Sequence, residues 1–288
     1  MPDGGSLINL GDLSKPATML IEKVSAAVGA IYAPHHVKRM ARAEVDSEKI
    51  KAIGKIELNE IERRAVERFV HQEARKQTNI EQITAQAAAS LPSDAKVENL
   101  EEDWVAHFFK QCDTVSDGEM QSLWARLLSG EATKPGTFSK RTIDFTSTID
   151  KKDAALFTTF CQFVWMIRNE PTPLIYEPTA EIYKKQGITF NELKHLDAIG
   201  LISFESVSGY QITGYGKYAD VFYYGRPVAI EFEDDTNSQL NIGHALLTRV
   251  GMELAPICGS SKNEDFYQYV IREWFERRLI LSSVVNSE

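Results

Sequence analysis

No stretch of this chain is apolar for long enough to span a bilayer. The nearest is Val24 to Val37, VSAAVGAIYAPHHV, uncharged for only 14 residues and interrupted by Pro34, whereas a spanning helix needs about 20 apolar residues. A packed amphipathic helix is expected there, with contact between this arm and a membrane surface left open. The opening MPDGGSLINLGDLSKP has neither the basic start nor the apolar centre of a signal peptide, and a cytoplasmic protein is expected. Cysteine is scarce: Cys112, Cys161 and Cys258 are odd in number and far apart, which suits a reducing compartment and argues against a disulfide framework. Positive charge is in deficit, the net being −9, which argues against general affinity for nucleic acid or anionic lipid.

Recognisable catalytic spacings are missing too. The six histidines form no His-Glu-x-x-His, and there is no Cys-x-x-Cys and no Gly-x-Ser-x-Gly. Gly130-x5-Gly136-Thr137 lacks the Gly-Lys-Ser/Thr ending of a phosphate-binding P-loop, and no strand precedes it. No cofactor, metal or small-molecule ligand is expected.

What is present is a globular composition, 43% hydrophobic and 25% charged over 288 residues, with room for one large domain or two modest ones. From His35 to Leu91 there is no proline, and Ala, Glu, Lys, Arg, Gln and Ile dominate, all good helix formers except β-branched Ile. Ile50, Ile53, Ile56, Leu58, Ile61, Ala65 and Phe69 recur mostly at steps of three or four, giving one apolar stripe on a charged helix. Such a stripe needs a cover, from this chain or from a second copy, so a homo-oligomer or a protein partner is expected. Lys38 to Lys76 holds eleven Lys or Arg against eight Asp or Glu. Lys38, Arg39 and Arg42 form one basic turn and Arg63, Arg64 and Arg68 another, read as exposed charges of a coiled-coil-like arm and as candidate interaction residues.

LPSDAK, Leu91 to Lys96, reads as a turn, after which the helices become short and apolar. Asn99 to Cys112 is one. Ser116-x-x-Glu119 reads as a capping box for the next, where Met120, Leu123, Trp124, Leu127 and Leu128 follow helical spacing and Gly130 is placed to end it. Ser139 and Asp150 read as caps of the two helices after that. The second of these, Lys151 to Ile167, is apolar on nearly every face, as the buried centre of a bundle would be. Lys140 and Arg141, in the first turn after the loop, join the interaction candidates.

Three prolines between Asn169 and Thr179 mark a boundary. Beyond it, Thr189-x-x-Glu192 caps a short helix ending at Gly200, and LISFESVSGYQIT reads as strand, turn at Ser208-Gly209, strand. VAIEFE reads as a strand, ALLTRVGMELAPIC as a helix, and Ser261-x-x-Glu264 as the cap of a last amphipathic helix. This order resembles a winged-helix domain. Its short helix offers Lys194 and His195 beside Glu192 and Asp197, and Asp150 to Ser260 holds nine Lys or Arg against fourteen Asp or Glu, a balance unsuited to phosphate. Gly214-x-Gly216-x-x-Ala219 imitates a dinucleotide fingerprint, but β-rich residues follow where a helix must start, so the glycines read as a hairpin or bulge. Glu67 and His71 read as a solvated pair, adjacent His35 and His36 diverge on a helix, and Glu231 to Asp235, EFEDD, reads as a solvated acidic turn.

Two blocks, DLSKPATMLIEKVSAAVGAIYAPHHVKRMARAE and RRAVERFVHQEARKQTNIEQI, together with LWARLLSGEATKPGTFSKRTIDF, resemble a bacterial family catalogued as domain of unknown function 2806. That family brings no established catalytic residues to transfer. The order of LWARLLSGE, a proline-containing loop, FSKRTIDF and IDKKDAALF is similar to abortive-infection alpha-type proteins of phage defence. The expected architecture is mainly α with α+β at the C-terminus: a helical arm over 1–91, a helical bundle over 92–170, a winged-helix-like region with a small antiparallel sheet over 171–260, and an amphipathic helix in 261–288. The expected function is that of a non-enzymatic, self-associating interaction protein, with a role in phage defence. The alternatives are a winged-helix nucleic-acid-binding regulator and an enzyme without a recognisable motif.

Overall fold

The computed structural model describes residues 14–29 and 60–283. The stripe residues Ile50 to Leu58, the basic turn Lys38, Arg39 and Arg42, and the His35-His36 pair lie outside the described residues. The chain divides into two compact units, one ending at Ser147 and the other starting at Thr148.

Among the described residues the first unit is all helical. Helix α1 (Lys15–Val28) is capped by Ser14, whose Oγ accepts from the Ala17 amide at 3.4 Å, and it closes at Gly29 in the left-handed conformation, φ 68°. Helix α2 (Glu60–Ser90) is 31 residues long. A turn over Leu91–Lys96 and a single 3-10 turn lead to α3 (Glu102–Cys112) and α4 (Gly118–Thr133). The Lys23 ammonium donates to the Glu98 and Leu100 carbonyls at 3.1 and 2.9 Å, tying α1 to that turn. Leu20, Val24, Ile83, Leu100, Phe108, Trp124, Leu127 and Leu128 are buried at the centre. Trp124 meets Phe108 edge to face at 5.1 Å, and Trp104 stacks on Phe108 while its indole donates to the Phe138 carbonyl at 2.9 Å.

Two details of α4 differ from the sequence expectation. Its cap is Asp117, whose Oδ1 accepts from the Glu119 and Met120 amides, both at 3.1 Å. Ser116 turns inward to share hydrogen bonds with Asn79. The helix also passes through Gly130 to Thr133. Gly130 is there for space: a Cβ at this position would sit 2.7 Å from the Phe138 ring. Ser139 does cap α5 (Lys140–Thr148), accepting from the Thr142 amide at 3.3 Å.

The second unit mixes helices with an antiparallel sheet. Helix α6 (Lys151–Phe160) is shorter than expected: a 3-10 turn over Cys161–Phe163 ends it, and β1 (Val164–Ile167) follows. An apolar run is compatible with either state, and here Val164, Trp165 and Ile167 are β-formers that pair with β2 (Glu170–Pro173). The two turn residues, Arg168 and Asn169, both have positive φ, 52° and 63°, the hairpin geometry that matches strand twist.

After α7 (Glu181–Lys184) and α8 (Phe190–Ala198) come β3 (Ile202–Phe204), β4 (Tyr210–Tyr215), β5 (Tyr218–Tyr223), β6 (Arg226–Glu231), β7 (Ser238–Gly243) and β8 (Ala245–Leu247). Their pairing is nested. The expected β3–β4 hairpin at Ser208-Gly209 does not form: β3 pairs with β8, β4 with β7, and β5 with β6. From Ile202 to Leu247 the chain thus makes one long antiparallel excursion, turning at Tyr224-Gly225, where φ is 47° and 81°. Gly214, φ 76°, falls where the β4–β7 register shifts, so the apparent nucleotide fingerprint is a bulge. The excursion's end joins a five-stranded sheet in the order β2-β1-β5-β6-β9, where β9 is Ile280–Ser283.

Helix α9 (Arg249–Leu254) follows β8, so the segment expected as one helix is a strand and a short helix. Helix α10 (Glu264–Glu276) is capped by Asn263, not Ser261, through the Phe266 amide at 3.1 Å. Thr189 stands at the start of α8, but its hydroxyl is spent on Glu192 and caps no amide. Buried Trp165 stacks between Tyr223 and Tyr267 and meets Trp274 edge to face at 4.9 Å, binding β1, β5 and α10 into one aromatic core. The fold class is mainly α with an α+β C-terminal part.

Candidate interaction surface

Helix α2 has two halves with one pattern. In the carboxyl half, Asn79, Ile83, Thr84, Ala87 and Ala88 are buried against α1, α3 and α4. Eighteen residues earlier stand Ile61, Ala65, Val66, Phe69 and Val70. Eighteen residues are five whole turns of an α-helix, so the second set projects from the same side of the rod as the first, about 27 Å away along it. Of these, Ile61 is 72%, Phe69 63% and Val70 59% exposed; Ala65 is exposed and Val66 half-buried. The phase of the core face, which is polar at Gln72, Glu73, Lys76 and Gln77, therefore turns apolar again between Ile61 and Val70, where Phe69 and Val70 are exposed.

The polar residues of the uncovered half are arranged unevenly. Arg63 reaches Glu60 at 3.4 Å and Glu67 at 3.7 Å, and Arg64 Nε donates to the Glu60 carbonyl at 3.1 Å. Lys76 bridges Glu73 at 3.1 Å and Asp113 at 3.7 Å. Arg68 is exposed on the side near Ile61. Glu67 pairs with Arg63, as a solvated helix face would, and among the described residues no group of three His, Cys, Asp or Glu is placed to hold a metal ion.

At the junction of the two halves, the buried polar residue Asn79 is satisfied from three sides. Its amide donates to the Asp113 carbonyl at 2.8 Å and to Ser116 Oγ at 3.2 Å, while its carbonyl accepts from Gln121 Nε2 at 3.2 Å. Gln121 also donates to the Val115 carbonyl at 2.9 Å. A buried amide with full partners fixes register, and this network sets where along α2 the covering helices begin.

The remaining basic candidates lie elsewhere. Lys140 and Arg141 are exposed in the first turn of α5. In the loop before them, the Gly136 and Phe138 amides that could meet an anion are taken. Glu131, 4% exposed, accepts from the Gly136 and Phe138 amides at 2.5 and 2.8 Å. Burial raises the Glu131 carboxyl above its usual range, and the amides of Gly136, Phe138 and Thr137 pull it back. The loop is an anion nest filled by the chain's own carboxylate. Sequence reasoning missed Glu131, although an acid four residues after Leu127 and three after Leu128, on the apolar face of a helix, was a visible signal.

In the second unit, the surface of α8 is occupied by its own contacts. Lys194 stands 5.2 Å over the Phe204 ring, His195 Nε2 lies 2.8 Å from Asp153, and Asp197 accepts from the Phe204 amide at 3.1 Å. The acidic turn Glu231 to Asp235 is gathered by Lys217, which lies 3.8 Å from Glu231 and 3.4 Å from Asp235 and donates to the Glu233 carbonyl. Lys194 is thus engaged with an aromatic ring, and Lys217 with two carboxylates and a backbone carbonyl.

A protein family of unknown function, DUF2806, matches residues 63–271. This chain belongs to that family. The matched span starts in the uncovered half of α2 and ends inside α10, so it takes in α2–α9 and the nested strands β1–β8; of the three blocks of resemblance, the first, Asp12 to Glu44, precedes it. No curated protein and no solved structure matches the chain. Among the described residues, no helix is long and apolar enough to cross a membrane.

Proposed function

We propose that this DUF2806 protein is a non-enzymatic interaction protein that self-associates through the amino-terminal half of α2. The observation that carries this reading is the five-turn repeat of the buried α2 face in Ile61, Ala65, Val66, Phe69 and Val70. A helix meant only for solvent has no reason to place large apolar residues in the phase of its own core face. Charge favours a second copy as the cover. Between Glu60 and Lys76 five cations stand with four anions, while the chain as a whole carries −9, so two copies meeting here face little net repulsion. Each Phe or Val side chain covered contributes about 1.5–3 kcal/mol.

Light scattering of the intact chain over a concentration series tests this. The expected result is a mass rising above the 32.4 kDa of one chain, and a return to that mass when Phe69→Glu and Val70→Glu are combined. A single-chain mass at every concentration up to about 50 µM, a level where a micromolar interface would be filled, would remove the reading. On the likeness to abortive-infection alpha-type proteins, we place the assembly in phage defence. Cells carrying the wild-type gene should restrict plaque formation and cells carrying the double variant should not; equal plating on both would remove the defence role and leave the assembly standing.

A further inference from the structure

The second unit carries a pair of cysteines that neither the assembly nor the packing described above uses. Cys161 opens the 3-10 turn at the end of α6 and is 3% exposed. Cys258 lies in the irregular segment between α9 and α10 and is half-buried. The two places are clasped together from both sides. Thr158, one turn before Cys161, donates its hydroxyl to the Cys258 carbonyl at 3.1 Å. Tyr224 donates to the Cys161 carbonyl at 3.1 Å and shares a 2.8 Å hydrogen bond with Ser260 Oγ. The Cys161 thiol has the Cys258 thiol as its hydrogen-bonding neighbour. Cys258 Sγ also points at the Ala255 carbonyl, 3.2 Å away, within its own turn.

We propose that Cys161 and Cys258 are a reversible oxidation site, closed to a disulfide by a peroxide. The chemistry assigns the roles. Burial pushes the Cys161 thiol well above its ordinary range, so Cys258, the less buried of the two, is the one oxidised first. The Cys258 thiolate displaces hydroxide from the peroxide oxygen and becomes a sulfenic acid. The Cys161 sulfur then attacks the Cys258 sulfur; the S–S bond forms, the S–O bond breaks, and the Cys161 proton leaves with that oxygen as water. In sum, two thiols and one hydrogen peroxide give one disulfide and two waters. The bond would join the end of α6 to the segment before α10, closing a loop that contains every strand from β1 to β8. Cross-linking so long a loop restricts the unfolded chain, so the oxidised unit should melt higher.

The test is hydrogen peroxide titrated onto the intact chain, followed by peptide mapping without reductant. The expected result is a linked pair of peptides containing Cys161 and Cys258, lighter by two hydrogen atoms, with an upward shift of the melting midpoint reversed by a dithiol. Cys161→Ala should leave a sulfenic acid on Cys258 that a dimedone-type trap captures, and Cys258→Ser should abolish both products. A trapped sulfenic acid persisting in the wild-type chain, a link between two chains in place of the internal one, or no oxidation at Cys258 would each overturn the proposal.

Discussion

The two halves of α2 share a phase and differ in surroundings. In the carboxyl half Ile83, Thr84 and the small residues Ala87 and Ala88 are buried. In the amino half the matching positions hold Phe69, Val70, Ala65 and Val66, larger on balance and, except for half-buried Val66, exposed. The difference teaches that an apolar period says which side of a helix is buried, not who buries it. Burial of the carboxyl half holds the first unit together; burial of the amino half is the step we assign to a second copy.

The largest effect should come from breaking the comparison on its covered side. Ile83→Asp puts a charge at a fully buried position and should unfold the first unit, a loss of about 4 kcal/mol or more. Ala65→Asp, five turns earlier on the same phase, should leave thermal stability at low concentration within about 0.5 kcal/mol while abolishing association. Circular dichroism melting of both variants at one low concentration checks the pair.

A second effect tests what holds the covered side in place. Glu131→Ala removes the acceptor of the Gly136 and Phe138 amides and should cost about 2–3 kcal/mol. The carboxyl's folded value is raised by burial, so the folded state holds a proton that the unfolded state has already released. Stability from this group is full below the unfolded carboxylate range and is lost as pH rises through the raised folded value. Glu131→Gln should remove that part of the pH dependence, measured by urea melts over acidic to neutral pH.

Gly130→Ala is smaller and has two opposed contributions. Alanine gains about 1 kcal/mol in helix propensity, but its Cβ would press on the buried Phe138 ring, at a cost of about 1–3 kcal/mol. A lowered melting midpoint is expected; a raised one would mean the ring moves freely. Arg63→Ala, on the uncovered half, should change stability by less than about 0.5 kcal/mol, because its pairs with Glu60 and Glu67 are exposed.

Much of this fold was legible because local chemistry decided it. The turn at Leu91, the helical spacing from Met120 to Leu128, the Ser139 cap and the bulge at Gly214 all follow from neighbouring residues. The helix and strand readings that failed depend on which strand receives the segment. Val164 to Ile167 is a strand because Glu170 to Pro173 and β5 receive it, and β3 pairs with β8 across more than forty residues, which no local pattern encodes. Capping residues were misplaced by one or two positions, Asp117 for Ser116 and Asn263 for Ser261, where adjacent polar residues compete for the same amides. Of the candidate surface, the stripe Ile61, Ala65, Phe69 was visible; that it repeats the buried set at Asn79 to Ala88 became visible only once the covered positions were known. Glu131 was hidden because its value lies in amides that a bent loop brings back to it.

Hydrogen exchange on the intact chain tests the central claim most directly, since it reads both halves of α2 in one sample. At micromolar and at tens of micromolar concentration, order-of-magnitude levels that bracket a weak interface, the amides from Ile61 to Arg75 should gain protection. Those from Asn79 to Ala88 should be equally protected at both. Protection in the amino half that does not change with concentration would contradict self-association through this face.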